Sequence, residues 1–533
     1  MENDGTQHDI KRQALLVAAL KNSRHYPYPA KTVRLFETHI SWVLLAGRYA
    51  YKIKKSLDMG FLDFTTLAKR EFFCAEEIRL NRRLAPQIYL DVVSIGGSVD
   101  EPVIGREPAI EYAVRMRRFS VENEMDRLMR RGAVQPQHID SLAQVLAQFH
   151  LGLPPMRPDS PYGTAEIVRE MARQNFTQLP PDVAGLLGHG ALSALRAATE
   201  NEFVRCQRLI DIRRQQGFVR ECHGDLHLGN LLIRGGQAVP FDGIEFSPEL
   251  RWIDIIDDIA FPLMDLQYFG RPDFAWRLLN GWLENTGDYD GLALLRWYAS
   301  YRAAVRGKVG AIRSAQASLE AGQRTAALET SRTYFNLAAQ LLQKPQARLI
   351  ITHGLPGSGK TTFAQAALET LGAIRIRSDV ERKRLFGLAP LERSQSSVGG
   401  DMYGAEATRR TYDRLLDLAR SLLAESFPVI VDAAFLRHDE RVQFRRLAEE
   451  LGVPFFIASI QACENVLRAR IEQRQRTARD ASEADVAVLA ALQVAQQPLQ
   501  DDERGVTVTF VNDGQQAAFG AGNAGWNRLK STK

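Results

Sequence analysis

The stretch ECHGDLHLGNLLI, Glu221–Ile233, places an acid, Asp225, five residues ahead of an amide, Asn230, and then turns apolar. A lone Asp or Asn in a turn is usually a local cap. The neighbouring segments argue for more than a cap. Gly235 and Gly236 sit between short apolar runs, a hairpin pattern. The second run leads to PFDGIEF and a further acid, Asp242. Upstream, YAYKIKK sets Lys52 on a strand, and the helical spacing of CAEEIRLNRRLA offers Glu77, or Glu76, as its partner. His223 and His227 stand four apart, as zinc ligands on a helix would. Gly224 follows the first of them, no third ligand is indicated and no helix is predicted, so zinc is not expected.

Phosphoryl transfer needs a carboxylate that orients a hydroxyl and accepts its proton. It also needs an amide and a second acid to hold a metal ion. Asp225 can supply the first, Asn230 and Asp242 the others, and Lys52 a cation for phosphate oxygens. The spacing of acid and amide matches H-R-D-x-x-x-x-N. Written H-G-D-x-x-x-x-N at His223–Asn230, the loop resembles that of the aminoglycoside phosphotransferase-like branch of the protein-kinase fold. The resemblance spans residues 30–310 and implies an α+β kinase-like domain. It also implies that Asp258 braces the loop, that AVRMRRF (113–119) is the hinge for adenine, and that helices within 121–220 and 252–310 line the acceptor pocket. One departure stands out. Gly47 alone precedes Lys52, with no G-x-G-x-x-G, so the loop that covers the phosphates is short or absent.

Further along, GLPGSGKT satisfies G-x-x-x-x-G-K-[ST] in full: Gly354, Leu355, Pro356, Gly357, Ser358, Gly359, Lys360 and Thr361, with Thr362 next. An apolar strand precedes it and a helix follows. Glycines let successive backbone N–H groups face phosphate oxygens, and the helix N-terminus adds positive potential. Lys360 would neutralise the β- and γ-phosphates and Thr361 would hold Mg2+. Asp432, ending PVIV, occupies a Walker-B-like position for the same metal, and Asp379 ends AIRIRSD. Both would lie at the carboxyl edge of a sheet, where open α/β sheets bind ligands; a loop-capping role is the alternative for each. In RARIEQRQRTARD, Arg470 and Arg474 share a helix face. They read either as a solvated basic face or as a lid over the transferring phosphate. This half resembles the small P-loop kinases. That implies Asp379 meets the acceptor hydroxyl and that Arg382 and Arg384 grip an acidic substrate.

Five short apolar runs, RLIITHG, AIRIRSD, FPVIVDAAF, VPFFIASI and VTVTFVN, alternate with helical segments, the pattern of a parallel sheet with crossover helices. Pro345 separates them from the helices before. The expected organisation is thus a kinase-like domain over 1–345, an α/β P-loop kinase-like domain over 346–511 and a loose tail over 512–533. The whole chain resembles bacterial proteins that fuse these two domains.

Four scattered cysteines without a C-x-x-C pair suggest neither a disulfide framework nor a zinc ribbon, and fit a reducing cytosol. The run ALLVAAL is too short to span a bilayer. A net charge of +5 spread over 533 residues argues against a nucleic-acid partner. The reading is a cytoplasmic phosphotransferase that uses ATP and Mg2+ on a small hydroxyl-bearing molecule. The nucleotide of the N-terminal domain and the oligomeric state are left open. Two alternatives stand: a degenerate kinase-like sensor regulating a P-loop ATPase, and a kinase of nucleic-acid 5′ ends.

Overall fold

The computed structural model describes residues 2–60, 62–316, 319–392, 402, 404–477, 485–514, 519–520 and 522–531. Its contacts group the chain into two compact units, Met1–Gln174 with Gln207–Asp265, and Asn175–Cys206 with Leu266–Lys533.

In the first unit six strands form one antiparallel sheet. They are β1 (Val33–Glu37), β2 (Ser41–Ala46), β3 (Tyr49–Lys54), β4 (Tyr89–Gly97), β5 (Pro102–Ile104) and β6 (Ala109–Arg117), in the order β1-β2-β3-β6-β4-β5. Side chains alternate across a strand, and β3 shows the consequence. Tyr51 and Ile53 are buried on one face with Leu16 and Val17 of the helix Glu2–Ala19. Ala50 is buried on the other with Cys74 and Ile78 of the helix Leu67–Asn81. Lys52 and Lys54 follow Ala50 by steps of two and share its face. The N-terminal apolar run is therefore the cover of a sheet face. Ala46 pairs with Tyr49, which leaves only Gly47–Arg48 to turn the chain between β2 and β3.

Two smaller pairs carry the loop of interest. β7 (Val219–Glu221) pairs with β10 (Trp252–Asp254), and β8 (Leu231–Arg234) forms a hairpin with β9 (Gln237–Pro240). Gly235 and Gly236 both have positive φ, the requirement of a two-residue primed turn.

In the second unit β11 (Leu349–His353), β12 (Ile374–Arg377), β13 (Val429–Asp432), β14 (Phe455–Gln461) and β15 (Thr507–Val511) make a parallel sheet, in the order β12-β13-β11-β14-β15. The five apolar runs are these strands. The helix Pro272–Thr286 groups with this unit, although a cut at 345 assigns it to the first domain. Its Asn280 closes the open edge of β12: Nδ2 donates to the Ala373 carbonyl at 3.0 Å, and Oδ1 accepts the Arg375 N–H at 2.6 Å. One amide side chain thus stands in for a neighbouring strand, which an exposed edge otherwise invites.

The expected loose tail is corrected by the helix Gly525–Lys530. Trp526 and Leu529, one turn apart, are buried in the core of the second unit, and Trp526 stacks on Phe363 with ring centroids 5.4 Å apart. Two apolar anchors outweigh the Gly, Asn and Ala around them, because burying an indole is worth several kcal/mol, on the order of 3. Among the described residues no helix is long and apolar enough to cross a membrane.

Candidate functional site

The first site lies where β3, the helix Leu67–Asn81 and the segments after β7 and β9 meet. Lys52 Nζ donates to Glu77 Oε1 at 2.9 Å and to Asp242 Oδ1 at 2.6 Å. Of the two candidate glutamates, Glu77 is the partner; Glu76 pairs with Arg79. Asp242 is held in a left-handed backbone conformation, φ 62°. Its N–H donates to the Tyr89 hydroxyl at 3.1 Å, and the next N–H, of Gly243, donates to Asn81 Oδ1 at 2.7 Å. Asn81 in turn donates to the Glu77 carbonyl, so one helix orients both the acid that follows β9 and the partner of Lys52.

Asp225 and Asn230 are brought together as the spacing predicts. Asn230 Nδ2 donates to Asp225 Oδ2 at 3.0 Å and to its carbonyl at 2.9 Å. Asp258, fully buried, grips the loop from behind. It accepts the N–H groups of His223 at 3.2 Å and Gly224 at 2.9 Å, and faces His150 Nε2 at 3.0 Å. Burial works against the charge of Asp258, yet these hydrogen bonds and the two histidines hold its carboxyl below the usual range. A second brace was not foreseen: Asp265 accepts the Leu228 N–H at 2.8 Å. His227 accepts the Gly229 N–H through Nδ1, at 3.0 Å, and so caps the turn.

Two further charges of this site escaped the sequence reading. Lys54 Nζ donates to Glu77 Oε2 at 2.7 Å and also to Glu245. Burial works against the charges on Lys52 and Glu77. Asp242 and Glu77 nonetheless raise the Lys52 ammonium well above its ordinary value, and Lys52 and Lys54 hold the Glu77 carboxyl low. Burial pushes the Glu245 carboxyl up, with Lys54 opposing. The signal was present in the sequence, since Lys54 lies two residues beyond Lys52 on the same strand face.

The second site is the turn from β11 into the helix Lys360–Leu371. At Gly359 φ is 99°, and a Cβ there would meet Asn512 Nδ2 at 2.3 Å. Lys360 Nζ donates to the Leu355 carbonyl at 3.0 Å, folding back over the loop. The Ser358 hydroxyl and Asp432 Oδ2 are buried without a hydrogen-bond partner. Burial raises the Asp432 carboxyl, while Arg377, Arg375, Lys360 and a hydrogen bond from Thr361 work the other way. Thr361 and Asp432 therefore meet, as metal coordination would need. A glycine-lined cradle, a buried hydroxyl without a hydrogen-bond partner and a carboxylate whose Oδ2 has only the Arg377 guanidinium beside it, at 3.8 Å, fit a phosphate chain with a divalent cation. Leu355, Pro356 and Gly357 complete the turn, and Thr362 is exposed on the helix.

Asp379 lies in the first turn of the helix Ser378–Leu385, directly after β12 and half-buried at the carboxyl edge of the sheet. Arg384 bonds Glu381 and the Glu284 carbonyl, and Arg382 reaches Thr411 Oγ1 at 3.4 Å. Arg470 reaches the P-loop from its carbonyl side. It donates to the carbonyls of Gly357 at 3.2 Å and Ser358 at 3.5 Å, and to Asn512 Oδ1 at 3.2 Å. Asn512, also unforeseen, donates to the Ser358 carbonyl at 2.8 Å. The side chain of Arg474 lies outside the described residues.

Comparison with known proteins follows this division. The phosphotransferase enzyme family model matches residues 74–243, and an AAA domain model matches residues 349–499. Over 461 residues the chain is 31% identical to uncharacterized proteins of Mycobacterium tuberculosis and Mycobacterium bovis, covering 86% of this chain and 89% of each relative. Among solved structures, an amicoumacin kinase is 12% identical and covers 63% of this chain and 96% of its own, with a TM-score of 0.40. The APS kinase of Mycobacterium tuberculosis is 16% identical and covers 35% and 99%, with a TM-score of 0.25.

Proposed function

We propose a reaction on this premise: the chain belongs to the family of these mycobacterial proteins and is a kinase-type phosphotransferase with a P-loop domain. The proposed reaction is transfer of a phosphoryl group from ATP to a hydroxyl of a small molecule. Bound Mg-ATP supplies the phosphoryl group and the cation that spreads its charge. In the first unit Asp225 orients the acceptor hydroxyl and takes its proton. Asn230 and Asp242 would hold the metal, and Lys52, kept in place by Glu77, would hold phosphate oxygens. In the second unit Lys360 and the glycine turn would hold phosphates, Thr361 and Asp432 the metal, and Asp379 would meet an acceptor. Arg470, with its fork on the carbonyls of Gly357 and Ser358, would keep the turn in shape.

The observation that carries the reading is the convergence of Lys52, Glu77 and Asp242 within 3 Å contacts across 190 residues of sequence. Transfer of labelled γ-phosphate into a pool of small metabolites tests it, in the parent and in Asp225→Ala and Lys360→Ala. Each substitution is expected to lower transfer at its own site. If neither does, the assignments fail.

A second reading has one observation in its favour. The turn Gly47–Arg48 is two residues long where kinase-like domains have a glycine-rich loop. In that reading the first unit is a sensor that binds a metabolite and regulates the second. Transfer that survives Lys360→Ala and disappears with Asp225→Ala would exclude it.

A further inference from the structure

Glu77 is held by two lysines, one at each carboxylate oxygen. Lys52 takes Oε1 at 2.9 Å and Lys54 takes Oε2 at 2.7 Å. The two differ in what else they can do. Lys52 also bonds Asp242, whose side chain is 43% exposed, so this pair faces the open side of the site. Lys54 has no exposed surface, and its other partner, Glu245, is 4% exposed. No nucleotide can touch Lys54 or Glu245 without dismantling the core.

A ligand that brings phosphate oxygens to Lys52 and a cation to Asp242 competes with the bond between these two and can displace it. Lys52 then depends on Glu77 alone for its orientation. A free lysine side chain has four rotatable bonds, and ordering them opposes binding. Backbone donors from a covering loop, which elsewhere share the load, have no counterpart in the two-residue turn Gly47–Arg48.

We propose that Lys54 and Glu245 form a positioning pair: they fix Glu77 whether or not ligand is bound, and through Glu77 they hold Lys52 ready for phosphate. The pair touches no substrate and acts only through Glu77. It is also why Glu77 keeps its place when the bond from Lys52 to Asp242 is given up. This inference rests on the kinase reading of the first unit.

The test uses the full chain carrying Lys360→Ala, so that Mg-ATP binding reports the first site. Titration calorimetry gives the affinity and thermal unfolding the fold. Replacing the buried pair together, Lys54→Met/Glu245→Met, exchanges an ion pair for apolar side chains of similar volume, an exchange cores often accept. The expected result is an affinity about tenfold weaker, the size of one lost oriented charge contact, with an unfolding midpoint close to the parent. Added to Lys52→Ala, the same pair of substitutions should weaken binding no further, because its effect runs through Lys52. Unchanged affinity in the pair variant overturns the inference, and so does a full additive loss on top of Lys52→Ala. Should the pair variant fail to fold, Glu245→Gln serves in its place: about threefold weaker binding is expected, and unchanged binding overturns the inference. If Lys52→Ala itself leaves Mg-ATP binding intact, the kinase reading falls and takes this inference with it. If Lys52→Ala weakens binding while the pair variant binds like the parent, the inference alone falls.

Discussion

The two sites differ in how their buried polar groups stand without ligand. In the first unit Lys52, Lys54, Glu77, Glu245 and Asp242 already pair with one another, and Asp258 already accepts two backbone N–H groups. In the second, the Ser358 hydroxyl and one oxygen of Asp432 are buried with no hydrogen-bond partner. One site is shaped by side-chain charges that hold one another. The other is shaped by backbone, around two buried oxygens without hydrogen-bond partners. The first therefore depends on keeping its charges paired, and the second on keeping its glycines.

Asp258→Ala should give the largest effect. It strips the acceptor from His150 and from the N–H groups of His223 and Gly224. Removing one partner of a buried charged set costs about 3–5 kcal/mol, read as a shift in urea denaturation. An effect under about 1 kcal/mol would mean the first site does not depend on that brace.

Gly359→Ala attacks the backbone site in the same way. It forces a side chain into φ 99° and against Asn512. A loss of about 3 kcal/mol is expected, with ATP binding at least about tenfold weaker by calorimetry. Normal binding would show that the turn can adopt another shape.

A third effect is pH-dependent. His353 ends β11, is buried, and burial lowers its imidazole from 6.5 to about 4, with Arg441 and Lys360 adding repulsion. The folded chain then binds fewer protons than the unfolded chain between those values. The stability this site supports is complete above pH 6.5 and falls as pH drops towards 4, by about 3 kcal/mol in all. His353→Gln should flatten that region of the profile, measured as unfolding free energy against pH.

Ser358→Ala is the smallest and the sharpest contrast with Asp258. Its hydroxyl has no partner to lose, so the ligand-free chain should keep its stability or gain about 1 kcal/mol. ATP affinity should still fall by about threefold. Clear destabilisation would mean the hydroxyl bonds a group that the ligand-free structure does not show.

Much of both sites could be read from the chain. The P-loop pattern, the Asp225–Asn230 spacing, the Gly235–Gly236 hairpin and the five strands of the parallel sheet are local features, fixed by residues a few positions apart. Arg470 was placed on the right helix with an open role. Its fork lies on the P-loop carbonyls because Asn512, 42 residues later, completes the same cluster. The tail was misjudged because composition averages over a segment, while Trp526 and Leu529 act singly.

Local sequence is enough to read two motifs, a P-loop pattern on a parallel α/β sheet and the acid–amide spacing of a kinase-like loop. Motif spacing and the periods of strand and helix are set by covalent geometry, which any stretch of chain expresses. It took the folded chain to settle which glutamate meets Lys52, that Lys54 and Glu245 stand behind it, and that Asn280 closes the edge of β12. These contacts join residues between 23 and 191 positions apart. Such pairings depend on which faces are buried together, and burial is a property of the folded chain as a whole.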